Sequence, residues 1–211
     1  MLEPSGLYYP NRLARALFLA LEDIMGRTGL QALLETAGLL ADAVYPPDNM
    51  SRQFDFALIS AMNAALEDMY GARGGRGMAL KIGRASFARG MKRFGALAGV
   101  ADPAFQALPL ADRVDLGLKA LASIFTNFSD QKTVLEDAGE HYLLHIDASP
   151  FAWGRVADKP VCHALVGIVQ ECLRYVSNGY EFHVYEVACA ATGTEACILQ
   201  VNKQPLGAKR A

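Results

Sequence analysis

The chain has 211 residues, 52% of them apolar and 20% charged, which excludes disorder and allows a sizeable buried core in one domain. Lysine and arginine total 20 against 22 aspartates and glutamates, a formal charge of −2, so a dedicated nucleic-acid binder, with its basic excess, is not expected. Aliphatic stretches such as Ala16–Leu21 fall far short of the ~20 residues of a membrane span, and Met1–Gly6 shows no basic-then-apolar leader pattern; a cytoplasmic protein is the expectation.

The first 130 residues carry helical periodicity. Leu13, Ala16, Leu17, Ala20, Leu21 and Ile24 form one stripe, opened by Pro10-Asn11 and stopped at Gly26. Phe18 and Leu19 lie off that stripe, on either a wide core face or a subunit contact. A short helix is expected over about Leu30 to Leu40, and a third from about Ser51 to Tyr70, with Leu58, Ile59, Met62, Ala65, Leu66 and Met69 inward. Gly71–Gly77 lacks the lysine and Ser/Thr of a phosphate-binding loop and reads as an interhelix turn. Helices follow at about Met78–Leu97 and Leu110–Phe128, the latter with Val114, Leu118, Leu121, Phe125 and Phe128 on one face.

After Ser129 the period changes. Thr133–Glu136 and Glu140–Asp147 read as strands around Asp137-Ala-Gly139. Tyr142, Leu144 and Ile146 share one face of the second strand; His141, Leu143 and His145 share the other. Asp158 and Pro160 open a helix to about Val176, with Leu165, Ile168, Val169, Cys172 and Val176 inward. Tyr180–Cys189 and Ala196–Val201 form strands around Thr192-Gly193-Thr194, and Gly207–Ala211 reads as a frayed tail.

All four cysteines lie in the last 50 residues. Cys189 and Cys197 are symmetric about Gly193, so a hairpin centred there faces the two thiols toward each other. That geometry suits a shared metal or a disulfide, and a reducing compartment disfavours the disulfide. Glu186 stands three residues before Cys189. Such odd spacing points to opposite strand faces, so both reach one ion only if a bulge intervenes. Cys162 falls in the first turn of its helix, where the dipole favours a thiolate. Cys172, about 15 Å further along the same helix, reads as a core thiol.

The segments Pro160–Glu171 and Phe182–Cys197 together resemble the 4-vinyl-reductase domain family. The shared pattern is a cysteine and a glycine in a helix, then Glu-x-x-Cys, a glycine and a final cysteine. Tyr8–Arg15 and Ile82–Phe87 add weaker similarity, so the resemblance spans nearly the whole chain. Related ligand-sensing domains of phenol-responsive activators hold a structural zinc on three cysteines and a glutamate. The resemblance therefore implies zinc, or iron, on Cys162, Glu186, Cys189 and Cys197. Such a saturated tetrahedral shell suits structure rather than catalysis. Family members often carry a cysteine pair before the helix; here Asp147–Trp153 has none. The family also implies a plait-like fold shared with trafficking-complex (TRAPP) subunits, and a homodimer.

No Gly-x-Ser-x-Gly elbow and no dinucleotide fingerprint after a strand are present. His163 beside Cys162 is a candidate to hydrogen-bond the metal site or replace a ligand. Phe125, Phe128, His141, Tyr142, His145, Phe151 and Trp153 cluster around the helix-to-sheet transition and are the expected lining of an apolar pocket. The expectation is an α+β fold in a single domain, 1–211, with 1–130 mainly helical and 131–205 supplying strands plus one helix with the metal motif. The expected function is binding of a small hydrophobic or aromatic molecule, as sensor or carrier. The alternatives are vinyl reduction on a chlorophyll precursor, or a protein-interaction subunit.

Overall fold

A computed structural model describes residues 3–39 and 45–207. The elements are β1 (Tyr8–Pro10), α1 (Asn11–Thr36), β2 (Arg52–Asp55), α2 (Phe56–Arg89), α3 (Pro103–Gln106), α4 (Leu110–Phe128), β3 (Thr133–Asp137), β4 (His141–Ile146), α5 (His163–Val176), β5 (Phe182–Ala188) and β6 (Cys197–Pro205). The fold is α+β: a helical N-terminal half with small antiparallel sheets. β1 and β2 pair as a ribbon, and the other strands form a sheet of order β3-β4-β6-β5.

Both long helices are broken by glycine. Gly26 in α1 and Gly71 in α2 adopt φ near +70° with extended ψ, a conformation open mainly to glycine. α1 thus stops where the sequence predicts and restarts as a second helix ending at Thr36; the expected end near Leu40 lies outside the described residues, as does the tail beyond Gly207. In α2 the chain doubles back at Gly71, bringing the backbone of Gly75 against Leu66 and Glu67. The predicted turn over Gly71–Gly77 therefore shrinks to Gly71, and the helix resumes at once and ends at Arg89. The expected continuation to Leu97 is replaced by short 3-10 turns at Met91–Arg93 and Gly95–Ala101.

The expected helix start at Ser51 is also corrected. Arg52–Asp55 pairs with Tyr8–Pro10, and Asp55 is the true N-cap, accepting from the Ala57 amide at 2.8 Å. Phe18 is buried and meets the rings of Tyr45 and Phe54 edge-on at 6.0 and 5.6 Å. Phe18 is therefore internal packing, whereas Leu19 is half-buried and lines an open cleft on the surface.

β1 enters the core through Tyr9, whose ring lies against Phe56 and Phe125 and whose hydroxyl donates to Gln131 Oε1 at 2.5 Å. One sheet face, with Tyr142, Leu144, Ile146, Phe182, Val184, Leu199 and Val201, is buried. α5 is buried on almost every side and crosses α2 backbone to backbone. A methyl added at Gly83 would stand 2.0 Å from the Ala164 carbonyl oxygen, and one at Gly167 would stand 2.2 Å from that of Leu80. This glycine-lined crossing fixes the N-terminus of α5 at the end of the sheet.

Candidate metal centre

β5 and β6 pair around Gly193, with Ala188 opposite Ile198; continuing that register sets Cys189 opposite Cys197. Gly193 itself sits at φ +95° in the left-handed region the turn requires. The register slips between Glu186 and Ala188. This is the bulge that the odd Glu186–Cys189 spacing demands: Val187 is turned outward, and Glu186 and Cys189 come to the same side.

The third piece arrives on α5. The helix begins at His163 rather than at Asp158, and Cys162 is its N-cap. Two hydrogen bonds account for the late start. The Val161 carbonyl is taken by Asn63 Nδ2 at 3.0 Å, and the Cys162 amide donates to Glu186 Oε2 at 2.7 Å. Residues 158–162 are thereby held out of the helix.

One ligand atom from each of Cys162, Glu186, Cys189 and Cys197 lies within 4.8 Å of all the others, and the three cysteines are fully buried. All four cysteines are free thiols. Cys162 and Cys197 Sγ are 3.6 Å apart. Two sulfurs on one tetrahedral zinc, at Zn–S ≈ 2.3 Å, stand about 3.8 Å apart, so the spacing suits such an ion. The Ala190 amide donates to Cys197 Sγ at 3.3 Å, and Ser149 Oγ is 3.1 Å from Cys162 Sγ. Glu186 Oε1 is buried and has no hydrogen-bond partner among the described residues. A buried oxygen without a partner is costly, and a carboxylate gathered with three sulfurs has the chemistry of a cation ligand.

The protonation pattern shows the same crowding. Hydrogen bonds from the Cys162 and Cys189 thiols and the Ala190 amide pull Cys197 down to about 4. Burial, then hydrogen bonding to the other two sulfurs, pushes Cys162 well above the usual thiol range. Burial, then Cys189, pushes Glu186 up to about 8. The downward shift at Cys197 against the upward shifts at Cys162 and Glu186 favours negative charge on the first of these three.

Cys172 lies apart, buried near the Gly117 carbonyl, its pKa raised by burial. Among the described residues His163 is outside the four-residue cluster and makes no side-chain hydrogen bond to it; it is half-buried at the start of α5, and burial lowers its pKa.

The seven residues expected to line a pocket do not converge. Strand alternation sends His141 and His145 to the outer face of β4 and Tyr142 to the inner one, so they cannot share a cavity. His145 Nε2 lies 2.8 Å from Glu136 Oε2. Phe125 is core, Phe128 is part-exposed against Phe94, and Trp153 is 37% exposed. Phe151 alone of the seven reaches a cavity of about 10 Å³ between α1, α2 and α5, walled by Leu17, Leu66, Ile82 and Ala164.

The segment from Asp147 to Cys162 forms a strap over α2, which sequence reasoning missed. Ser60 Oγ donates to the Trp153 carbonyl at 2.6 Å, Asn63 Nδ2 to those of Phe151 and Val161, and Arg155 pairs with Glu67 at 2.7 Å. Ser60, Asn63 and Glu67 share one face of α2 by their three- and four-residue spacing. Polar residues at that spacing on an apolar face were the available signal.

No family model matches the chain, and no curated protein matches it. Solved structures do. A Cs H-NOX mutant carrying 4-cyano-L-phenylalanine at site 5 superposes with a TM-score of 0.53 at 13% identity, covering 93% of this chain and 98% of that one. An H-NOX structure that probes the function of haem distortion in that family gives 0.51 at 13% identity, over 96% and 99%. The phenol-responsive sensory domain of the transcription activator PoxR, solved with phenol, gives 0.51 at 19% identity, over 72% and 77%. At these identities the likeness is one of fold: the chain has the α+β architecture found in H-NOX and phenol-sensing domains.

Proposed function

We propose that the protein is a zinc-containing sensor or carrier of a small apolar or aromatic molecule, with Cys162, Glu186, Cys189 and Cys197 as a structural metal site. The observation that carries this reading is the strap. One end supplies Cys162 to the cluster, and its middle supplies Phe151 to the interior cavity, so the proposed metal site and a buried apolar cavity are tied to one segment. The fold likeness to a phenol-binding domain supports the ligand class. Kinship with 4-vinyl-reductase domains rests on the Pro160–Glu171 and Phe182–Cys197 motifs and belongs to the same proposal, as does a homodimer, to which the half-buried Leu19 is available and the buried Phe18 is not.

The fold neighbours include haem proteins, but the residues here do not fit haem. The interior cavity is about 10 Å³, and none of the four histidines lines it. A phenol-sized ligand also needs more room than one water occupies, so binding requires the strap to lift Phe151 away. The zinc supplies fixed geometry rather than chemistry. It holds the Cys162 end of the strap while Asn63, Ser60 and Glu67 set how readily the remainder opens.

The test is a titration of zinc-loaded protein with phenol and with alkyl and aromatic compounds, followed by Trp153 fluorescence. Saturable change in the wild type, lost in Leu66→Phe, which fills the cavity, is expected. Elemental analysis without zinc, or no saturable binding of any compound, refutes the proposal. Light scattering near the 22.8 kDa monomer mass refutes the dimer.

A further inference from the structure

An open cleft of about 380 Å³ is lined by Arg12, Arg15, Arg89 and Arg93 and by the carboxylate of Asp48, with Leu19 and Phe94 as its apolar wall. That volume lies in the range of small-molecule sites, roughly 300 to 1,000 Å³. Four guanidiniums in one concavity repel one another, and the carboxylates present offset only part of this. Arg12 pairs with Asp48 at 2.5 Å, and Arg89 pairs with Asp23. Among the described residues, neither Arg15 nor Arg93 meets a carboxylate.

Two features distinguish the cleft from ordinary surface arginines. Arg12 and Arg15 stand at the N-terminal end of α1, whose first turn contains no acidic residue. Helix dipoles favour anions there and disfavour cations, so the protein concentrates positive potential where its own backbone already supplies it. Arg15 is also held in place, among the described residues, by groups other than carboxylates: its Nη1 donates to the Pro46 carbonyl at 3.1 Å, and its guanidinium lies 5.7 Å from the Tyr45 ring centre. A cation fixed by a carbonyl and a ring keeps its remaining donors for a ligand. Close packing shapes the floor, since a methyl at Gly90 would stand 2.7 Å from Ala16 Cβ.

We propose that this cleft binds a small organic phosphate, its phosphate between Arg15 and Arg93 and its apolar part against Leu19 and Phe94. Guanidinium forks match phosphate oxygens bidentately, and the wall selects an ester over the bare ion. The site is separate from the metal cluster and from the strap, so it stands or falls independently of the ligand proposed there.

The test is calorimetric titration of the full chain with phenyl phosphate, inorganic phosphate and phenol, and sedimentation with vesicles containing phosphatidic acid. Saturable binding of phenyl phosphate, tighter than that of inorganic phosphate, is expected. Arg15→Gln with Arg93→Gln is expected to weaken it by about tenfold or more, the scale of one charge-assisted bond at 1.4 kcal/mol per decade. Arg73→Gln, on α2 away from the cleft, serves as the control and is expected to leave it unchanged. Equal affinity for inorganic phosphate overturns the role of the apolar wall. Wild-type affinity in the double variant overturns the site. Binding to phosphatidic acid vesicles without binding of phenyl phosphate overturns the small-molecule ligand in favour of a lipid headgroup.

Discussion

Replacing Gly83 with alanine tests the idea that a backbone-to-backbone crossing positions Cys162 in the proposed metal site. The new methyl would stand 2.0 Å from the Ala164 carbonyl oxygen and 2.8 Å from its carbon, where ordinary contact begins near 3.4 Å. No rotamer change relieves this, because both partners are main chain, so α2 and α5 must part by roughly 1 Å. Overpacking of this kind costs about 1–3 kcal/mol, and a clash with backbone belongs at the upper end. The better helix propensity of alanine returns up to about 1 kcal/mol, for a net loss of about 2 kcal/mol. In a chain of this size that lowers Tm by roughly 4–8 °C. Ala164 lies two residues from Cys162, so zinc retention against a chelator is expected to fall too. Gly77→Ala is the control: nothing lies within 4 Å of the added methyl, and a gain of up to about 1 kcal/mol is expected. Calorimetric melting of both variants checks the pair. A Gly83→Ala protein that melts at or above the wild-type temperature refutes the reasoning.

Cys189→Ser is expected to abolish zinc binding and Cys172→Ser to keep it, checked by elemental analysis after gel filtration. Zinc binding at pH 7 is expected to release at least two protons, from Cys162 and from Glu186, whose pKa sits at about 8. Affinity should then fall by about two decades per pH unit on acidification, and calorimetry in buffers of different ionisation enthalpy reads the proton count. Asp55→Ala removes the α2 cap and should cost about 1–2 kcal/mol at neutral pH, measured by denaturant unfolding. Burial raises the Asp55 pKa, but hydrogen bonds from Ser5, Ala57 and Gly6 outweigh it and the net shift is downward. Its contribution is thus complete above the unfolded value and is lost as pH falls through the folded one, so the variant and wild type should converge in strong acid.

Periodicity made α4, β3, β4 and the β5–β6 hairpin legible, because each buries one regular face. The gathering of Cys162, Glu186, Cys189 and Cys197 was legible for a different reason: symmetry about Gly193 paired two of the thiols, the odd Glu186–Cys189 spacing asked for a bulge, and only the family resemblance joined all four. What stayed hidden depends on contacts between distant segments. Arg52–Asp55 reads as the start of a helix until Tyr8–Pro10 is beside it. The glycines of Gly71–Gly77 read as a loop, yet Gly75 serves close packing inside a helix. The residues expected around one pocket lie apart for a reason present in the sequence, since alternation along β4 divides His141 and His145 from Tyr142. A net charge of −2 likewise concealed four arginines gathered in one cleft from two distant stretches of the chain.

The bulge at Val187 has a second effect, on solubility. β5 is an edge strand of the sheet, and its outward side chains include Tyr185 and Val187, 45% and 53% exposed. A flat edge of that composition is a template for pairing with other chains, and bulges are one way natural sheets interrupt it. The slip that turns Glu186 toward the sulfurs also breaks the regular row of unpaired backbone groups along the edge. Straightening β5 by deleting Val187 would therefore do more than misplace a ligand: it would expose a continuous strand, and the resulting protein should aggregate even where zinc is irrelevant.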